Sequence, residues 1–239
     1  MGTRAAELAF AAAACAAVVI AGCGGAGSKP SPPSTSASTA TTEPPAAALI
    51  TAMQASVRKA TSMHVTGRLT NNGVPISVNL DMHRNGDVSG TESLNGAPYQ
   101  VVGVHGNVYV KATRSFLQEV RAPTSACAIA CGRWLQLTPA LASQLTGDFS
   151  MSNFTGPLTS SQLPKFTEAG TKMVGGQTAW VLSAGQGVTL DVSSAGGHLP
   201  LAATTGGSTT EVITYSQWNS APEPMPPPAN DVLNLSNLK

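Results

Sequence analysis

The stretch "MHVTGRLTNNGVPISVNLDMHR" (63–84) alternates apolar and polar residues on either side of Asn71-Asn72-Gly73. Met63, Val65 and Leu69 oppose His64, Thr66 and Arg68. Beyond the turn, Val74, Ile76, Val78, Leu80 and Met82 oppose Ser77, Asn79, Asp81 and His83. A period of two belongs to a strand with one dry and one wet face, and Asn-Gly is a hairpin turn, so the two segments are expected to pair antiparallel.

Toward the C-terminus the pattern continues through "DVSGTESL" (87–94), "APYQVVGV" (97–104) and "NVYVKA" (107–112), separated by turns at Asn95-Gly96 and His105-Gly106, which predicts a five-strand meander. It returns in "KFTEAGTKMV" (165–174), "QTAWVLSA" (177–184), "GVTLDVSS" (187–194), "LPLAATTG" (199–206) and "TEVITYSQW" (210–218). Between these blocks, residues 113–163 lose the period and read as short helices and loops around one strand, "RWLQLT". Ten or eleven antiparallel strands cannot stay flat, because accumulated twist makes so wide a sheet curl, split or close.

Upstream of the meander, "AAALITAMQASVRKATS" (46–62) places Leu49, Ile50, Met53, Val57 and Ala60 at helical spacing behind Pro44-Pro45. The fold class is α+β, mainly antiparallel β: a strongly curved sheet with an N-terminal helix and short middle helices over its concave face. Val65, Val78, Leu80, Val101, Val108, Val110, Val181, Leu190 and Leu201 are the candidates for that face. One helix is too short to cover ten strands, so the remainder is covered either by the middle segment, giving a filled core, or by an apolar ligand.

At the N-terminus, Arg4 precedes an apolar run from Leu8 to Ala21, about the length of an export signal and short for a membrane span. Ile20-Ala21-Gly22-Cys23 at its end resembles the bacterial lipobox. That resemblance implies a diacylglyceryl group on the Cys23 thiol and cleavage just before it; the alternative is an ordinary secretory signal that leaves Cys23 free. Two or more acyl chains anchor a protein firmly. Residues 24–45 are almost wholly Gly, Ser, Thr, Ala and Pro and read as a disordered stalk spanning on the order of 25 Å. The expected organisation is a signal at 1–22, lipidated cysteine and stalk at 23–45, one domain at 46–233 and a tail at 234–239.

The formal charge of +1 provides no basic field for nucleic acid. Of four cysteines, Cys15 leaves with the signal and Cys23 takes lipid, so Cys127 and Cys131 are expected to pair as a disulfide in an exported protein. His64, His83, His105 and His198 are scattered without metal-ligand spacing, which calls for no metal and no cofactor. Ser56 and Lys59 fit S-x-x-K on a helix that already has a packing role, and no G-x-S-x-G elbow exists. His64 and His83 fall on the wet phase and are expected to be solvated. No catalytic constellation is legible, and the chain is not expected to be an enzyme.

The C-terminal half, with Leu190-Asp191-Val192, Gly196-Gly197, Leu199-Pro200-Leu201, Tyr215-Ser216-x-Trp218 and prolines from Pro222 to Pro228, is similar to the closing portion of actinobacterial LppX/LprG-type lipoproteins. "GNVYVKATRSFL" and "CGRWLQL" resemble that family's midsection, though the Cys127/Cys131 pair departs from it. The resemblance implies a half-barrel similar to LolA, enclosing a cavity for acyl chains. It also implies a monomer in the cell envelope that binds or transfers a lipid or acylated glycolipid and reaches the membrane through its Cys23 anchor. No protein partner is legible, and an envelope interaction or sensory module with a filled core is the other reading.

Overall fold

A computed structural model describes residues 44–71, 73–206 and 210–237. The export signal, the lipobox residues Ile20, Ala21 and Gly22, Cys23 and nearly all of the stalk lie outside the described residues.

Helix α1 (Ala46–Lys59) precedes the meander β1 (Ser62–Asn71), β2 (Val74–His83), β3 (Val88–Leu94), β4 (Ala97–Val104) and β5 (Asn107–Ala112). The middle segment forms α2 (Arg114–Glu119), α3 (Ala126–Ala130), β6 (Trp134–Gln136), α4 (Pro139–Asp148) and α5 (Met151–Thr159). A second meander follows in β7 (Thr167–Val174), β8 (Gln177–Gly185), β9 (Val188–Ser193), β10 (Pro200–Thr205) and β11 (Glu211–Ser216), and then a short β12 (Val232–Asn234).

All twelve strands join one sheet in the order β12-β6-β5-β4-β3-β2-β1-β11-β10-β9-β8-β7. The two meanders meet where β11 pairs antiparallel with β1. The strand beyond the expected ten or eleven is β12, three residues too short to show a period; it runs parallel to β6 at the sheet edge. Packing continues to Leu235, which joins a small cluster of Ala112, Leu117, Ala130 and Leu135 under α2 and α3.

Curvature has a local cause at two strand glycines. Gly90 has φ +147°, and a Cβ there would stand 2.1 Å from the Asn79 carbonyl oxygen. At Gly67 a Cβ would meet the Val212 carbonyl oxygen at 2.6 Å. Neighbouring backbones close in on the space a side chain would need, and only glycine permits that approach.

Candidate functional site

Strand register assembles the concave face row by row. One row runs Leu182, Leu190, Ala203, Ile213, Gly67, Val78, Glu92 and Tyr99, each residue opposite the next. A second runs Tyr215, Val65, Leu80, Gly90, Val101, Val110 and Leu135. A third joins Met63, Met82, Val88, Gly103 and Val108. The structure thus places Val65, Val78, Leu80, Val101, Val108, Val110 and Leu190 together in the main buried cluster.

Two candidates sit elsewhere. Val181 is opposite Asp191 on the other face, while its neighbours Trp180 and Leu182 point into the cluster. "AWVL" is apolar at four consecutive positions, so alternation within β8 could not choose the phase. The adjoining strand could have done so: Leu190 and Val192 alternate cleanly with Thr189 and Asp191, and pairing carries that phase to Leu182 and Trp180. Leu201 is buried at a register shift between Pro200 and Ala202, outside the main cluster. Also unanticipated on this face are Tyr215 and the α5 residues Met151 and Leu158.

The covering layer is built from two parts. Helix α1 buries Leu49, Met53 and Val57 against the sheet, each side chain contributing roughly 1.5–3 kcal/mol. Both of its ends are held by charged residues, one on β7 and one in the turn after β2. Glu168 on β7 accepts a hydrogen bond from the Ala46 N–H, placing a carboxylate at the positive end of the helix dipole. Hydrogen bonds from its own backbone and from Ala46 hold the Glu168 carboxyl below its ordinary value. At the other end, Arg84 donates to the Ala60 carbonyl at 2.7 Å and the Val57 carbonyl at 3.2 Å, supplying a cation and two donors at the negative end of the helix dipole.

The second part is α4 and α5, capped by Thr138 and Ser150 and packed on the sheet through Ala142, Phe149, Met151 and Leu158. The C-terminal end of α5 is tied to α1: Gln54 donates to the Leu158 and Ser160 carbonyls and Arg58 to the Thr159 carbonyl. Nearer its start, the Tyr215 hydroxyl donates to the Phe154 carbonyl at 3.3 Å. Burial pushes the Tyr215 phenol well above its ordinary pKa, so it remains a donor at any physiological pH.

Between sheet and helices there is little room. Met53, Met63, Val65, Leu80, Met82, Val101, Leu182 and Val192 each have 0% exposure, so no water-sized space adjoins them. Two open hollows of about 510 and 530 Å³ lie at the sheet ends, one beside His83 and the other beside the Cys127–Cys131 pair. At its centre the concave face is filled by protein, while Leu69, Ile76, Leu94, Ala203 and Ile213 are only half-buried.

The remaining polar candidates divide. His64 Nδ1 lies 2.7 Å from Asp81 Oδ1, and Ser216 is the cross-strand neighbour of His64 on the opposite side. No hydrogen bond joins Ser216 to His64 among the described residues, and the surrounding strand amides are engaged in the sheet, which leaves a nucleophile and an oxyanion site unformed. His83 was expected to be solvated and is instead buried, its Nε2 3.0 Å from the Pro222 carbonyl oxygen. The proline-rich segment after β11 folds back over the start of β1 and the end of β2, where Ala221 N–H donates to Ser62, and it covers most of the imidazole, whose Nδ1 lies 3.6 Å from Glu223 beside the open hollow. Cys127 and Cys131 form a disulfide with Cα atoms 4.7 Å apart.

No protein-family model and no curated protein matches the sequence. Solved structures do match. LprF from Mycobacterium bovis superposes with a TM-score of 0.52 at 16% identity, covering 76% of this chain and 96% of LprF. The chain has the fold of LprF. The lipoprotein LppX from Mycobacterium tuberculosis matches with a TM-score of 0.49 at 18% identity, over 74% of this chain and 98% of LppX. A LolA superfamily protein from Nitrosomonas europaea matches with a TM-score of 0.26 at 11% identity, over 76% of this chain and 96% of its own. With LprF the chain shares a curved antiparallel sheet whose concave side is covered by helices, which is the architecture the alternating strands predicted.

Proposed function

We propose that this protein is an envelope lipoprotein that binds a lipid or acylated glycolipid against the concave face of its sheet and carries it without making or breaking a bond. The observation that supports this most strongly is the extent of that face: mostly apolar rows, interrupted by the buried Glu92, run across the sheet beneath α1, α4 and α5. Hydrocarbon laid on such a face gains about 25 cal/mol for each Å² removed from water. Because the centre of the face is filled in this state, cargo that reaches it must displace part of the cover. The α4–α5 segment is the part that moves: it swings about the end of α5 that Gln54 and Arg58 hold, and exposes the sheet under Ala142, Phe149 and Met151. Acylation at Cys23 and a stalk to residue 45 keep the domain at the membrane from which the lipid comes, with its folded part outside the cytoplasm.

Lipid extracted from the purified full chain and identified by mass spectrometry tests the reading, together with uptake from vesicles. Tyr215→Phe removes the hydroxyl that ties α5 to the sheet and is expected to speed uptake by roughly two- to tenfold, the equivalent of one hydrogen bond. No extracted lipid and no uptake by either protein would overturn it. That outcome would favour the second reading, an interaction module, to which the 0% exposure of the core residues also speaks.

A further inference from the structure

A groove of about 530 Å³ opens where β5 runs into α2, bordered by Tyr99 at the end of a concave-face row. One wall is a cross-strand row of Thr91, Gln100 and Lys111, which alternate with the concave-face residues of β3, β4 and β5. Arg114 stands at the start of α2, and Pro98 with the Cys127–Cys131 disulfide closes an apolar side.

Its charge is one-sided. No carboxylate lines it, and among the described residues neither Lys111 nor Arg114 has an ion-pair partner. The nearby acids Glu92, opposite Tyr99 on the sheet, and Glu119 do not line it. Glu119 accepts a hydrogen bond from Asn95. The Lys111 ammonium lies 5.7 Å from the centre of the Trp134 ring, a cation–π contact that holds it in place and leaves its N–H donors for an outside acceptor.

Lys111, Arg114, Thr91 and Gln100 bring an ammonium, a guanidinium, a hydroxyl and a carboxamide to the lining of one groove. Together they offer more donors than the two oxygens of a carboxylate can use and suit a tetrahedral oxyanion. The hollow is larger than a bare anion, and its apolar side fits an attached organic group. We propose that this groove binds a phosphate ester, either the headgroup of an anionic lipid or a soluble phosphate. The proposal deepens the lipid-carrier reading by naming a headgroup class, and it rests on that reading only for the lipid source.

The test uses the full-length chain as wild type and as Lys111→Glu/Arg114→Glu, so that any membrane affinity of the apolar N-terminal run is common to both. Titration calorimetry with glycerol phosphate and with inorganic phosphate probes the anion without acyl chains. Flotation with phosphatidylglycerol-containing vesicles against pure phosphatidylcholine vesicles probes the headgroup. Wild type is expected to bind at least one phosphate probe, and the double variant at least about tenfold more weakly, since two charge-assisted contacts become repulsive. Lys165→Glu, an exposed charge reversal outside the groove, is expected to change nothing. Should the glutamate variant fail to fold, Lys111→Gln/Arg114→Gln is expected to show the same loss. Binding to anionic vesicles and glycerol phosphate assigns a lipid headgroup, and binding to the soluble probes alone assigns a soluble phosphate. If wild type binds no phosphate probe, or the folded double variant binds equally well, the proposal falls. Acyl-lipid uptake that fails while glycerol phosphate still binds would sink the carrier reading and leave this one standing.

Discussion

Helix α1 and the α4–α5 segment cover the same concave face by different means. The first is held at both ends by charged side chains, Glu168 of β7 at Ala46 and Arg84 of the turn after β2 at Val57 and Ala60, and buries Leu49, Met53 and Val57 along its length. Among the described residues the second is held by its local caps, by the Tyr215 hydroxyl, by apolar contacts and by bonds that tie its C-terminal end to α1. Under the proposed carrier function, a face that is dry at rest and opens to cargo needs one fixed wall and one movable wall, and we assign those roles to α1 and α4–α5.

Substitution under the fixed wall should produce the largest change. Met53→Ala empties a fully buried site and is expected to lower stability by about 2–5 kcal/mol, read as a fall in both Tm and denaturation midpoint. Met151→Ala on α5 should lower Tm less and instead speed amide exchange across residues 139–159. If the two variants change Tm equally and exchange nowhere locally, the two walls are equivalent and the comparison breaks.

Replacing the disulfide, Cys127→Ser/Cys131→Ser, should cost at most about 2 kcal/mol, because the loop it closes is short. The same bond is checked by the mass shift on alkylation with and without reductant; labelling only after reduction is expected. Arg84→Ala removes a cation and two donors from the end of α1 at an exposed position and should cost about 1 kcal/mol, with exchange rising first in the last turn of that helix.

Glu168→Gln should have the smallest effect, and one that depends on pH. The carboxyl is held below its ordinary value of 4.5, so its contribution is present above that pH and is lost as pH falls through the lower, folded value. Wild type should therefore melt above the variant at neutral pH, and the gap should close in acid. A gap that widens on acidification would reverse the sign and remove the Glu168 anchor from the account.

Sequence periodicity revealed the two meanders and the covering helix because each is a local pattern repeated over many residues. It placed seven of the nine proposed face residues together, and it failed at Val181, where three flanking apolar residues hid the phase that Leu190 and Val192 in the next strand would have supplied. Also illegible were the features made by distant residues meeting. The Glu168–Ala46 contact spans 122 residues, and the His83–Pro222 contact 139, so neither leaves a mark on its own stretch of chain. Strand β12 is too short for any period to show. The groove at Lys111 and Arg114 was not legible in the sequence, because only the fold shows that both cations border one hollow.

Hydrogen exchange read by mass spectrometry, with and without phosphatidylglycerol vesicles, tests the central claim most directly. On lipid uptake, residues 139–159 are expected to change their exchange several-fold while residues 46–59 stay protected, with lipid recovered bound to the protein. Unchanged exchange in both segments with no bound lipid, or equal opening of α1 and α4–α5, would contradict it.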